Sequence, residues 1–180
     1  SRRSRRLPFT PPISLVNPLS LRAFNTLYWH RQWGREHSAI SHYEPFFYPL
    51  DALAEWNRMY GPRGFLQYQC VVPPAVAADA IAELLQRIQR SGSGSFLAVI
   101  KQFGDRQPLG MLSFPRAGTT LAMDFPIDSG RRVFGLLDQL DEVVSEAGGA
   151  VYPAKDARMS GRHFRQYFPA WNQFQPFVDP

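Results

Sequence analysis

Between Gly64 and Tyr152 the spacing of apolar residues alternates between two periods, and this alternation constrains the fold more than any other feature of the chain. A repeat of two marks a half-buried strand, and a repeat of three to four marks one face of a helix. Residues 65–72 alternate as a strand, and Pro73-Pro74 closes it. Val76, Ala80, Leu84, Leu85 and Ile88 then form a helical stripe that ends before Ser91-Gly92-Ser93-Gly94. Residues 96–103 read as a second strand, 111–114 as a short extended piece, and 119–125 as a third strand stopped by Pro126. Over 131–147 the stripe Val133, Leu136, Leu137, Leu140, Val143, Val144 and Ala147 gives the clearest helix, with Gly148 placed to end it. A short strand at 150–152 and a helix at 160–167 follow.

The order β-α-β-β-α-β predicts an α+β fold, a ferredoxin-like antiparallel plait. Its expected strand order is 4-1-3-2, with both helices on one face. Ahead of it lies an N-terminal helical and loop arm. Asn17-Pro18 reads as a cap with proline at the first helical position, and Leu21, Phe24, Leu27 and Tyr28 follow at helical spacing. Residues 34–49 read as an aromatic-rich loop, and Asp51 is placed to cap a short helix that runs to Tyr60. Three segments are therefore expected: the arm at 1–63, the plait at 64–152, and a departing segment at 153–180.

Composition narrows the function classes. The single cysteine, Cys70, excludes an intramolecular disulfide framework and a multi-cysteine zinc site. It falls on the apolar parity of its strand and reads as a core residue. His30, His37, His42 and His163 show no ligand spacing, so no metal is expected. No stretch approaches the roughly 18 apolar residues of a membrane span, and the arginine-rich start has no apolar segment behind it to make a secretory signal. The first 35 residues hold seven arginines and no acid, which leaves thirteen basic against fifteen acidic residues in the remainder. That near-neutral body is not the footprint of a basic nucleic-acid-binding domain. Gly148-Gly149 and the Ser-Gly run at 91–95 fall at helix ends and turns rather than in a phosphate cradle.

Strand parity sorts the side chains further. Leu66, Tyr68, Cys70 and Val72, with Ala98, Ile100, Leu121, Met123 and Phe125, form the set expected under the helices. The opposite face collects Gln67, Gln69, Lys101, Phe103, Thr120, Ala122 and Asp124. Of twenty basic residues, only Lys101 and Lys155 are lysines. A face that mixes amides, a lysine and Phe103 with Val71 and Val99 predicts a partly covered, polar ligand surface.

Ordered motifs carry a resemblance. Phe47-Tyr48-Pro49-Leu50-Asp51, Glu55-Trp56-Asn57-Arg58-Met59-Tyr60-Gly61 and Gly64-Phe65-Leu66-Gln67-Tyr68-Gln69 come first. Lys101-Gln102-Phe103-Gly104, Leu112-Ser113-Phe114-Pro115, Asp124-Phe125-Pro126 and Ala154-Lys155-Asp156-Ala157-Arg158 follow. Together they resemble the C-terminal half of FAD-linked oxidoreductases of the vanillyl-alcohol-oxidase type, closest to the decaprenylphosphoryl-β-D-ribose 2′-oxidase family. The resemblance implies FAD as cofactor and hydride transfer from a sugar secondary alcohol to flavin N5. It implies that Gln69, Lys101 and Phe103 line the substrate side of the flavin, with Gln67, Thr120 and Ala122 beside them on the same face, and that Tyr152 and Lys155 approach the flavin itself. Lys155 and Lys101 are the candidate catalytic residues; Lys155, Tyr152 and Gln69 are the candidate cofactor contacts.

The implied partners are an N-terminal FAD-binding domain of the same polypeptide and a sugar or polyprenyl-phosphate sugar substrate. No nucleic acid is expected, and the chain by itself is expected to be inactive. A cytoplasmic placement is expected, and the basic arm has two readings: peripheral contact with anionic lipid, or packing on protein. Plainer alternatives stand beside each residue: Lys155 paired with Asp156, Lys101 as a surface cation, Gln69 as a solvated strand residue. The family's best-known members carry Asn and Cys where this chain has Thr120 and Ala122, which leaves an aldonolactone or sugar-alcohol oxidase open. A ferredoxin-like module that binds single-stranded RNA is the reading from a different class.

Overall fold

A computed structural model describes residues 5–31, 36, 38–47, 53–95, 98–128, 132–155 and 158–178. The chain divides into two compact units, Ser1–Phe65 and Leu66–Pro180.

In the first unit, helix α1 (Pro18–His30) begins as its sequence dictates. The Asn17 side chain accepts from the backbone N–H groups of Leu19 and Ser20, and the Ser20 hydroxyl accepts in return from the Asn17 N–H. Strand β1 (Arg5–Arg6) pairs in parallel with β2 (Leu53–Ala54), so the basic arm is hydrogen-bonded near its start. The tie continues as Leu7 donates to the Ala54 carbonyl and Arg58 Nη1 donates to the Leu7 carbonyl at 2.9 Å.

Two local expectations change here. A short helix, α2 (Tyr43–Phe47), stands inside the segment read as loop. The helix expected up to Tyr60 is a strand followed by a 3-10 turn over Trp56–Tyr60, because Glu55 sits in the left-handed region at φ 58° and breaks the chain direction between them. Its proposed cap, Asp51, lies outside the described residues. Tyr60 stacks on Phe65 at 4.5 Å and is buried.

The second unit is the plait. Strands β3 (Phe65–Val72), β4 (Ala98–Phe103), β5 (Gly118–Pro126) and β6 (Ala150–Val151) form one sheet in the order β4-β5-β3-β6. Numbered within the plait, that is 4-1-3-2 read from the far edge, as expected. The β4/β5 pair is antiparallel from Ala98↔Met123 to Phe103↔Gly118, and β3/β6 is antiparallel through Cys70↔Val151 and Val71↔Ala150. Residues 96 and 97, expected to open the second strand, lie outside the described residues, as does Arg131 ahead of the second helix.

Helices α3 (Ala77–Ser91) and α4 (Arg132–Glu146) pack on each other over the apolar sheet face. Leu84, Ile88, Leu137, Leu140 and Val144 close on Tyr68, Cys70, Val72, Leu121, Met123 and Phe125 in one core. Each such side chain contributes about 1.5–3 kcal/mol on burial. Gly92 and Gly148, at φ 69° and 68°, supply the left-handed residue that ends each helix.

The apolar parity fails at one place. Ile100 is 56% exposed and Ala98 is exposed too, because β4 is the sheet edge and α3 lies over β5 instead. After the plait, α5 (Gly161–Tyr167) is capped by the Ser160 hydroxyl, which accepts from the His163 N–H. It adds Tyr167 and Phe168 to the core, and α6 (Trp171–Phe174) follows.

Candidate functional site

The face of the sheet away from the helices is assembled by register. Tyr152 donates its N–H to the Gln69 carbonyl at 2.8 Å, which extends the β3/β6 ladder by one residue and sets Tyr152 beside Gln69. Lys101 lies opposite Thr120, and Val99 opposite Ala122. The Gln69 side-chain amide donates from Nε2 to Thr120 Oγ1 at 3.3 Å.

A cavity of about 130 Å³ opens on this face, lined by Gln67, Gln69, Val99, Ala122, Asp124 and Lys155 among others. Lys155 ends the 3-10 turn Pro153–Lys155 that follows β6, and its ammonium donates to Gln67 Oε1 at 3.0 Å. The turn therefore carries the lysine back over the sheet to β3. Asp156, the alternative partner, lies outside the described residues.

The far end of the face is covered by the chain itself. Phe114 is 3% exposed and lies between two rings: it stacks on Tyr152 at 4.7 Å and meets Phe103 edge-on at 6.2 Å. The segment read as an extended piece at 111–114 is instead a turn, closed by the Ser113 N–H on the Gly110 carbonyl. Arg116 holds it down by donating to the Phe114 and Tyr167 carbonyls while its guanidinium lies over the Phe168 ring. Burial lowers the Arg116 pKa from its ordinary value. Just beyond the turn, Gly118 lets the start of β5 lie close on β3: a Cβ there would stand 2.2 Å from the Val72 carbonyl oxygen. Val71 and Thr120 are buried on this face, which therefore mixes covered apolar and polar side chains.

The expected site residues thus fall in two neighbouring groups. Gln67, Gln69, Ala122 and Lys155 line the cavity, with Thr120 joined to it through Gln69. Phe103 and Tyr152 belong to the aromatic row, and Lys101 stands exposed on the edge strand beside Thr120.

Two residues gain importance beyond the sequence reading. Phe114 could not be found by periodicity, since its burial depends on how a loop folds back. Asp124 could have been singled out: parity puts a carboxylate on a face of amides and lysine. It is 7% exposed, and burial raises its pKa above the usual carboxylate value, offset by a hydrogen bond from Gln67 and the charge of Lys155. Among the described residues, no group of three or more His, Cys, Asp or Glu side chains could hold a metal. No helix of the described residues is long and apolar enough to cross a membrane.

The α+β plait thus presents a shallow, amide- and lysine-lined cavity on its sheet with an aromatic row beside it, an open surface rather than a closed pocket. The chain is 39% identical over 179 residues to decaprenylphosphoryl-β-D-ribose oxidase of Mycolicibacterium smegmatis, a match that covers 97% of this chain and 37% of that protein. Over nearly its whole length the chain is a relative of that oxidase, the family its motifs resemble. It is also 32% identical over 120 residues to an uncharacterized protein in the mprA 5′ region of Streptomyces coelicolor, covering 65% of this chain and 32% of that protein. The chain spans about a third of the length of these curated relatives. No protein-family model matches it.

Proposed function

We propose that this chain is the substrate-covering portion of an FAD-dependent oxidoreductase that oxidises a secondary alcohol on a polyprenyl-phosphate pentose. The observation that carries the reading is the cavity itself. Side chains from three separated segments (Gln67 and Gln69, Ala122, and Lys155) meet there, on a chain related to an oxidase of a lipid-linked sugar. In this reading residues 1–63 are the arm of the substrate domain, 64–152 its plait, and 153–180 the start of the return to an N-terminal FAD-binding domain.

The residues present suit a flavin ring laid across the face rather than enclosed by it. The cavity, about 130 Å³, is too small to engulf a ring system, whereas amide donors, a lysine and a flat aromatic row suit its edge. Bound FAD would supply the hydride acceptor for the alcohol oxidation. Lys155 holds a fixed positive charge at the cavity rim, where negative charge would gather on a reduced cofactor. The Gln69 amide, anchored on buried Thr120, offers donor and acceptor groups to sugar hydroxyls, and exposed Lys101 offers a cation to a hydroxyl or phosphate oxygen. Phe103, Phe114 and Tyr152 keep water from that end of the face.

Thr120 and Ala122, in place of the family's Asn and Cys, leave room for a differently shaped alcohol, so an aldonolactone or sugar-alcohol oxidase is the second reading. The test is anaerobic bleaching of flavin absorbance in the complete polypeptide. Bleaching by a polyprenyl-phosphate pentose supports the first reading, bleaching only by free alditols or lactones supports the second, and a polypeptide that binds no flavin overturns both.

A further inference from the structure

Asp124 has no part in the function proposed above, yet it lines the same cavity as Lys155. A buried carboxylate costs several kcal/mol unless it is paired or hydrogen-bonded. The sheet does not need one here, since its same-face neighbours on β5, Thr120 and Ala122, are neutral. Its relief comes from the Gln67 amide and the Lys155 charge, which line the same cavity.

Gln67 makes the connection directional. A primary amide has one acceptor end and one donor end. Oε1 of Gln67 takes the Lys155 ammonium at 3.0 Å, which leaves the amide N–H₂ as the end available to the Asp124 carboxylate in the same cavity. An ammonium at the acceptor end and a carboxylate in the same cavity favour that one orientation of the amide and polarise it, which strengthens the bond to Lys155. A free lysine on an exposed turn would sample many rotamers; this one has a fixed acceptor.

We propose that Asp124 is a positioning residue that, through the Gln67 side-chain amide, holds the Lys155 ammonium at the cavity rim. This rests on the cofactor-side role proposed for Lys155 and adds the group that keeps it in place.

The chain's two lysines make the test direct. With ε-¹³C-labelled lysine, the 180-residue chain gives two side-chain signals, and Lys101→Arg assigns them. A held Lys155 shows two distinct ε-proton frequencies. In Asp124→Asn, which keeps the shape and removes the charge, that splitting is expected to collapse while the Lys101 signal stays in place. An unchanged Lys155 splitting in a folded Asp124→Asn chain overturns the proposal. Lys155→Met, a change at an exposed position, reads the coupling from the other end. The Asp124 carboxyl-carbon signal should then titrate at higher pH than in the parent chain, and an unmoved midpoint overturns the proposal. Neither measurement involves flavin. Intact coupling alongside normal flavin reduction in a Lys155 variant would therefore retire the role proposed for Lys155 and leave the positioning relationship standing.

Discussion

Arg158 Nη1 lies 3.0 Å from Asp141 Oδ2 and 2.6 Å from Asp138 Oδ1, so the segment just beyond Lys155 is pinned to helix α4 by one guanidinium. The Asp141 side chain is 2% exposed and that of Arg158 12%, which makes this a buried pair rather than a surface one. Arg158→Met is expected to lower unfolding free energy by about 3 kcal/mol, because it takes the guanidinium away from the buried Asp141 carboxylate. Urea unfolding monitored by circular dichroism reads this directly. A midpoint within error of the parent chain would show that Arg158 does not anchor the segment.

A second prediction concerns the fold-over of Phe114. Gly118→Ala places a Cβ 2.2 Å from the Val72 carbonyl oxygen and 3.1 Å from Val71 Cγ2, at a backbone φ of 153°. A cost of about 3 kcal/mol is expected, with loss of the Phe114 ring from its place on Tyr152. Thermal melting gives the first quantity, and aromatic cross-peaks between residues 114 and 152 give the second. Unchanged melting would contradict the close packing of β5 against β3.

Alkaline pH should unfold the chain. Burial pushes the Cys70 thiol from an ordinary 9.0 up to about 12, and burial also raises the Tyr68 and Tyr167 hydroxyls above their ordinary 10.0. Above pH 9 the unfolded chain releases these protons while the folded chain keeps them, so the folded state binds more protons and stability falls as pH rises. The contribution is fully present below pH 9 and is lost progressively toward 12. Native Cys70, at 0% exposure, should resist thiol reagents at pH 8 and react fully in denaturant. Rapid labelling of the folded chain would contradict this.

The plait was legible because its two periods are clean: the stripe from Val133 to Val144 and the alternation from Phe65 to Val72 leave few options for topology. Face parity then placed Gln67, Gln69, Lys101, Phe103, Thr120 and Ala122 on one side, where the register sets them. Local features were harder to read. The left-handed Glu55 that divides β2 from the turn at Trp56–Tyr60 has no compositional signal, since glutamate rarely adopts that conformation. Ile100 has the right parity for the core but sits on an edge strand, a property of sheet order and helix placement rather than of the residue. The burial of Phe114 and Asp124 depends on a loop and a turn that approach from distant parts of the sequence.

The chain alone should not retain FAD. The cavity beside Lys155, about 130 Å³, can meet one edge of a ring but cannot enclose a cofactor, for which pockets of about 300–1,000 Å³ are usual. Gel filtration after incubation with FAD is expected to yield colourless protein. Stoichiometric flavin in the protein peak would contradict this.

The central claim is that Lys155 acts on the cofactor and Lys101 on the substrate. Anaerobic single-turnover flavin reduction in the complete polypeptide, measured across substrate concentrations, separates the two roles. Lys155→Ala is expected to lower the limiting reduction rate by about 10²-fold, since it removes a charge that matters most as hydride arrives. Lys101→Ala is expected to raise the substrate Kd with little change in that limiting rate. A Lys155→Ala protein that reduces its flavin at the parent limiting rate would contradict the account.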